Sequence, residues 1–181
     1  MKTATKTKVV RPTKSNFLGF TFWKDSKGWK AKPANDRKVK LMQKTREILC
    51  RKRAAARPIG VTFVKLNQLM RGWINYFGIG SMKGFLNEYG QWMRHKVRVV
   101  ILKQWKKPKT VYRNLQKLNM FGNCNLSDEA IFKVANSRMG LYRRCAGDVV
   151  NYLLSPKVLG YKTKDRPGLV DPLAYYLARS T

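Results

Sequence analysis

Acidic side chains are scarce in this chain. Nine Asp and Glu stand against thirty-nine Lys and Arg, a formal charge of +30 over 181 residues. A two-metal polymerase or nuclease centre needs clustered carboxylates, and the only adjacent acids are Asp128 and Glu129. They read as first-turn charges that complement a helix dipole. Histidine occurs once, at His95, and cysteine three times, at Cys50, Cys124 and Cys145, with no C-x-x-C spacing. No Ser-His-Asp set and no zinc site can be assembled from these, so no metal and no cofactor is expected. The thiols read as those of a reduced intracellular protein, and His95 reads as a solvated residue on the polar side of its helix. Apolar runs never reach the roughly 18 to 20 residues of a membrane span. Met1 to Lys14 has no apolar core of the signal-peptide kind. No membrane partner is expected, and nothing here points to an autonomous catalyst.

What remains is basic charge on a chain able to fold. Apolar residues make up 44% of the sequence, enough for a packed core. Residues 1–60 carry a net charge of +15, residues 61–107 of +8 and residues 108–181 of +7. No region neutralises another, and self-repulsion on this scale favours a polyanionic partner, nucleic acid first.

The organising stretch runs from Val61 to Lys107 and reads as two helices broken at Phe77-Gly78-Ile79-Gly80-Ser81. The Gly-Ile-Gly lies between helices rather than after a strand, so it is no dinucleotide fingerprint. On the first helix Phe63, Leu66, Leu69, Met70, Trp73, Ile74 and Phe77 share an arc, opposite Lys65, Asn67, Gln68, Arg71 and Asn75. On the second, Phe85, Leu86, Tyr89, Trp92, Met93, Val97 and Val100 face away from Lys83, Asn87, Gln91, Arg94 and Arg98. The apolar arcs pair and the polar arcs stay available. Leu102 and Trp105 leave the apolar stripe, so something C-terminal should cover them.

Before this pair, residues 1–16 read as a basic disordered tail. Phe17 to Trp23 and Trp29 to Lys32 form a hairpin turning at Asp25-Ser26-Lys27-Gly28 and stopped by Pro33. A helix over Arg37 to Arg53, capped by Asn35 or Asp36, buries Leu41, Met42, Ile48 and Leu49. Its Arg37, Lys40, Lys44 and Arg51 form one stripe suited to a phosphate backbone. Arg51, Lys52 and Arg53 extend it towards Pro58. Pro108 ends or kinks the helix before it. Beyond it lie a brief helix around Val111, Leu115 and Leu118, and another opened by Ser127-Asp128-Glu129 with Gly140 as its stop. A turn over Val149 to Leu154 follows, then a helix capped at Asp171-Pro172. The fold class is mainly α: a three-helix bundle preceded by a short β-hairpin and followed by a smaller helical C-terminal segment.

Several of these stretches resemble group II intron reverse transcriptase/maturases. Phe17-Leu18-Gly19-Phe20 is similar to the end of that family's palm region. The run from Leu66 to Phe77 (Leu-Asn-Gln-Leu-Met-Arg-Gly-Trp-Ile-Asn-Tyr-Phe) is similar to its maturase-specific thumb motif, domain X. Trp105 to Thr110, Ala135 to Gly140 and Leu173 to Leu177 resemble the C-terminal extension of bacterial members. The resemblance implies a thumb over residues 35–107 that grips intron RNA or a primer–template duplex. It implies a palm-like end at 17–34, a nucleic-acid-binding extension at 108–181 that helps bind RNA or target DNA, and a bacterial cytoplasmic setting. The family's Asp-Asp polymerase motif is not in this sequence, so polymerase activity does not carry over. The leading expectation is a non-catalytic module that binds structured intron RNA to assist splicing. The alternatives are a detached C-terminal half of a reverse transcriptase, needing fingers and palm supplied separately, and a non-specific basic RNA binder.

The residues expected at the RNA are Arg37, Lys40, Lys44, Arg51, Lys52, Arg53, Asn67, Arg71, Asn75, Lys83, Arg94, Arg98, Lys106, Lys107, Lys109, Arg113 and Arg138. Asn67, Arg71 and Asn75 form an i, i+4, i+8 row able to reach phosphates or 2′-hydroxyls. Asn75 reads equally well as a cap on the Gly78 turn.

Overall fold

The aromatic stretch at Phe17 turns back on itself. In a computed structural model, which describes residues 10–164 and 166–179, Leu18 and Gly19 both have positive φ, at 52° and 84°. Two such residues make the tight turn that suits the twist of antiparallel strands. Strand β1 (Asn16–Phe17) therefore pairs with β2 (Phe20–Asp25), and β2 pairs with β3 (Gly28–Pro33). The expected hairpin is the larger part of a three-stranded antiparallel sheet. Tyr76 holds the turn by donating its hydroxyl proton to the Leu18 carbonyl at 3.1 Å. The positive φ at position 19 favours glycine, and a side chain there would also have to displace the flexible Arg37 side chain. Of the expected tail, residues 1–9 lie outside the described residues; Pro12–Lys14 make a 3-10 turn against β2.

Helix α1 covers Asn35–Ile48, with Ala34 rather than an Asn or Asp at its N-cap. It does not run on to Arg53. The chain bends at Leu49 and Cys50, and Arg51–Ala54 form a separate short α2. The bend buries Leu49 beneath the turn. It also takes Arg51 off the line of Arg37, Lys40 and Lys44.

Helices α3 (Ile59–Phe77) and α4 (Lys83–Trp105) pair as their apolar arcs require, burying Phe63, Leu66, Met70, Leu86, Met93, Val97 and Val100. Burial at about 25 cal/mol per Å² of apolar surface is the main stabilising term. Thr45 ties α1 to α4: its hydroxyl lies 2.8 Å from the Leu41 carbonyl and 2.7 Å from the Tyr89 hydroxyl. Burial pushes the Tyr89 phenol up to about 12.

Helix α4 stops at Trp105, where Lys106 takes a φ of 53°. Pro108 then opens α5 (Pro108–Phe121). Five short helices follow: α6 (Asp128–Ala135), α7 (Leu141–Arg144), α8 (Asp148–Leu153), α9 (Pro156–Gly160) and α10 (Pro172–Leu177). Ser127 and Asp171 cap α6 and α10 as their sequence signals require, accepting from the Ala130 and Ala174 amides. Gly140 is not the stop of α6, which ends at Asn136; it opens α7 instead.

These helices do cover the far end of α4. Leu102 is buried in the main core, which also takes in Cys145, Val150, Leu154, Leu159 and Leu169. Trp105 packs against that core and against a smaller one built on Val111, Leu115, Ile131 and Leu153. The molecule is mainly helical, with its sheet at the N-terminal end.

Candidate nucleic-acid interface

Helix α3 has two flanks beside its core face, and the fold treats them differently. On the flank towards α1, a cleft of about 430 Å³ opens between the helices. Arg37, Lys40 and Lys44 line one side. Their spacing of three and four residues keeps them on one face of α1. Leu69, Trp73, Tyr76 and Phe77 line the other side, with Leu18 of the β1–β2 turn at the end. All three cations are exposed, and among the described residues no carboxylate lines the cleft. Asp36 pairs with Arg37, 3.3 Å from its Nε.

The cleft floor is held by ring contacts. Trp73 packs on Phe77 at 4.7 Å and on Phe85 at 5.6 Å, and Phe77 meets Tyr76 and Phe20 at 4.7 and 5.1 Å. Geometries of this kind add to simple burial, so the aromatic wall is set before any ligand arrives. Nearby, Lys38 lies over the Phe85 ring at 5.2 Å. Burial and then Lys32 push its ammonium pKa down.

On the opposite flank the row Asn67, Arg71, Asn75 meets the protein's own C-terminal residues. Asn67 is 8% exposed, and both ends of its amide are engaged. The Nδ2 donates to the Gly168 carbonyl at 2.8 Å, and the Oδ1 accepts from the Val170 amide at 2.9 Å. Arg71 lies over the Tyr175 ring at 5.7 Å, and Tyr175 donates its hydroxyl proton to Asn75 at 3.1 Å. The Asn75 amide therefore serves this seam.

The seam continues onto α4. Arg94 pairs with Asp171 at 2.6 Å. Arg98, also 8% exposed, donates to the Leu154 carbonyl at 3.0 Å and to Asn151 through both terminal nitrogens. Asn67 and Arg98 were expected at the RNA, but they are interior hydrogen-bonding residues, and Arg94 is committed to an ion pair. Their pattern marks where apolar packing stops, and the chain's own backbone meets them there.

The remaining expected residues are exposed but dispersed. Arg51 lines a different cleft with Arg46, Lys96 and Tyr142. Lys52 and Arg53 share α2 with it, Lys83 starts α4, Lys106 and Lys107 lie at the α4–α5 joint, and Lys109 and Arg113 follow on α5. Arg138 lies between α6 and α7. His95 is not a solvated surface residue. It is half-buried, its ring meets Tyr142 edge to face at 4.3 Å, and its Nε2 is buried without a partner. Burial, then Lys96 and Arg98, push its pKa below the ordinary 6.5.

Trp73 was read only as core and Tyr76 was assigned to neither face, yet both line the cleft. Tyr76 is 57% exposed, a value that hydrophobic spacing alone does not foretell. Among the described residues, no group of His, Cys, Asp or Glu is placed to hold a metal ion. None of their helices is long and apolar enough to cross a membrane.

Fold and site together define a cationic, mainly helical body with an aromatic-floored cleft. Residues 38–119 match the family model described as "Group II intron, maturase-specific domain". That segment, from the first turn of α1 into α5, is maturase-related, and it holds every cleft residue except Leu18 and Arg37. No curated protein matches the chain.

Proposed function

We propose that this protein binds structured group II intron RNA through the α1–α3 cleft and assists splicing without a catalytic centre of its own. The observation that carries the reading is the cleft itself. Three exposed cations stand across from Trp73 and Tyr76, with no carboxylate among the described residues of the lining, inside or beside the maturase-related segment. Guanidinium and ammonium groups at helical spacing suit a phosphate backbone, and an exposed tyrosine beside a half-buried tryptophan suits an unstacked base or a ribose. In this reading residues 35–107 act as a thumb and residues 108–181 as an extension braced against it. Lys83, Lys106, Lys107, Lys109 and Arg113 add longer-range attraction. The bacterial cytoplasm is the setting the reading implies.

The test is a competition titration at fixed moderate salt. Labelled folded group II intron RNA is challenged with excess unrelated duplex RNA. The intron complex is expected to survive the excess. Displacement at parity would leave only a general polyanion binder.

A second reading has an observation of its own. Phe17, Leu18 and Trp29 leave more than half of their surface exposed on the sheet. Exposed apolar groups gathered on one element mark a contact surface. In this reading the sheet seats a separate catalytic part of a reverse transcriptase. Mixing the two parts should then restore primer extension, and failure to do so would count against it.

A further inference from the structure

A second kind of surface lies where α5, α8 and α9 meet, away from the α1–α3 cleft. Phe121 ends α5 and Tyr161 follows α9. Their rings meet edge to face at 5.1 Å, yet they remain 58% and 52% exposed. Tyr152 on α8 is also more than half exposed. It lines two clefts: one of about 580 Å³ against Leu126 and Val149, the other of about 450 Å³ against Phe121, Val158 and Tyr161. The loop between them is held by Asn123 and Asn125, whose φ angles of 46° and 50° lie in the left-handed region that Asn tolerates.

Charge around these rings has one dominant sign. Lys157 lines the second cleft, and exposed Lys162 and Lys164 follow Tyr161 in sequence. Exposed Lys117 lies one helical turn before Phe121. Among the described residues, Asp148 is the one carboxylate lining either cleft. Open π-faces flanked by ammonium groups match a chain that offers bases and phosphates together. A duplex hides its base faces inside the stack and cannot use such a surface. A single strand can.

We infer that Tyr152 and the Phe121–Tyr161 pair form a stacking site for unpaired nucleotides, with Lys157, Lys162 and Lys164 neutralising the adjoining phosphates. The site is separate from the α1–α3 cleft and does not depend on the intron reading.

The experiment measures binding of the full chain to a short labelled oligouridylate and to a blunt duplex of equal length, at one salt concentration. The single strand is expected to bind more tightly. Y152A with Y161A should weaken oligouridylate binding about tenfold or more. Y152F with Y161F, which keeps both rings, should bind within about threefold of wild type, well short of the loss expected when stacking is removed. Photocrosslinking with 5-iodouracil gives a readout free of any folding defect, and adducts are expected on Tyr152 or Tyr161. Duplex binding at parity or adducts only on Trp73 or Tyr76 would overturn the proposal. Unchanged affinity in the double alanine variant would do the same and leave the patch to a protein partner.

Discussion

The polar stripe of α1 and the polar row of α3 both read as open faces in the sequence, and they meet different fates. Towards α1, Arg37, Lys40 and Lys44 face an open cleft with Trp73 and Tyr76. Towards the C-terminus, Asn67 is sealed under Gly168 and Val170, while Arg71 and Asn75 lie against Tyr175. A polar stripe at helical spacing says that no apolar partner packs there. It does not say whether water, a ligand or the chain's own backbone does. The deciding feature is hydrogen-bonding capacity: a buried amide or guanidinium has to be matched, and here distant backbone carbonyls and amides match it.

That contrast can be broken first at its most buried point. R98M should destabilise the fold by roughly 3 kcal/mol, because it strands the acceptors at Leu154 and Asn151. A urea melt would show this, and the refolded variant should bind RNA nearly as wild type does. The opposite profile belongs to the open flank. Reversing Arg37, Lys40 and Lys44 to Glu together should weaken RNA binding about a hundredfold, ~2.8 kcal/mol. Its melting midpoint should move little, since exposed substitutions usually stay within about 0.5 kcal/mol. N67A comes next, at about 2 kcal/mol of stability, with binding preserved in the folded fraction.

The smallest effect is expected from pH. His95 has a folded-state pKa below 6.5, so its neutral form is the one the fold keeps. Stability is full above 6.5 and declines as pH falls through the lowered folded value. An NMR titration of this single histidine should place its midpoint below 6.5, and a midpoint above it would contradict the burial described for the α4–α7 contact.

Much of the architecture was legible because it is local. The facing arcs of α3 and α4, the β2–β3 turn at Gly28, and the Ser127 and Asp171 caps each follow from residues a few positions apart. Even the need for cover at Leu102 and Trp105 showed as a drift in the apolar stripe. The covered flank was not legible, because Asn67 meets partners 101 and 103 positions away. Periodicity on one helix carries no information about such a partner. A faint signal existed in Arg166-Pro167-Gly168-Leu169-Val170. It is an apolar pair between a glycine and Asp171-Pro172, too short for a helix and suited to an extended strap. Gly168 is required there because a side chain would strike the Gly160 carbonyl. The bend at Leu49 was equally hidden, since no proline or glycine marks it.

The most direct test of the two-flank account is lysine footprinting with and without folded intron RNA. An amine-reactive reagent labels Lys40, Lys44 and Lys133 in the free protein, where all three are exposed. The account predicts that RNA protects Lys40 and Lys44 while Lys133, on α6, keeps its labelling. Equal labelling of Lys40 and Lys44 in the free and bound states would contradict it and remove the α1–α3 cleft as the RNA face.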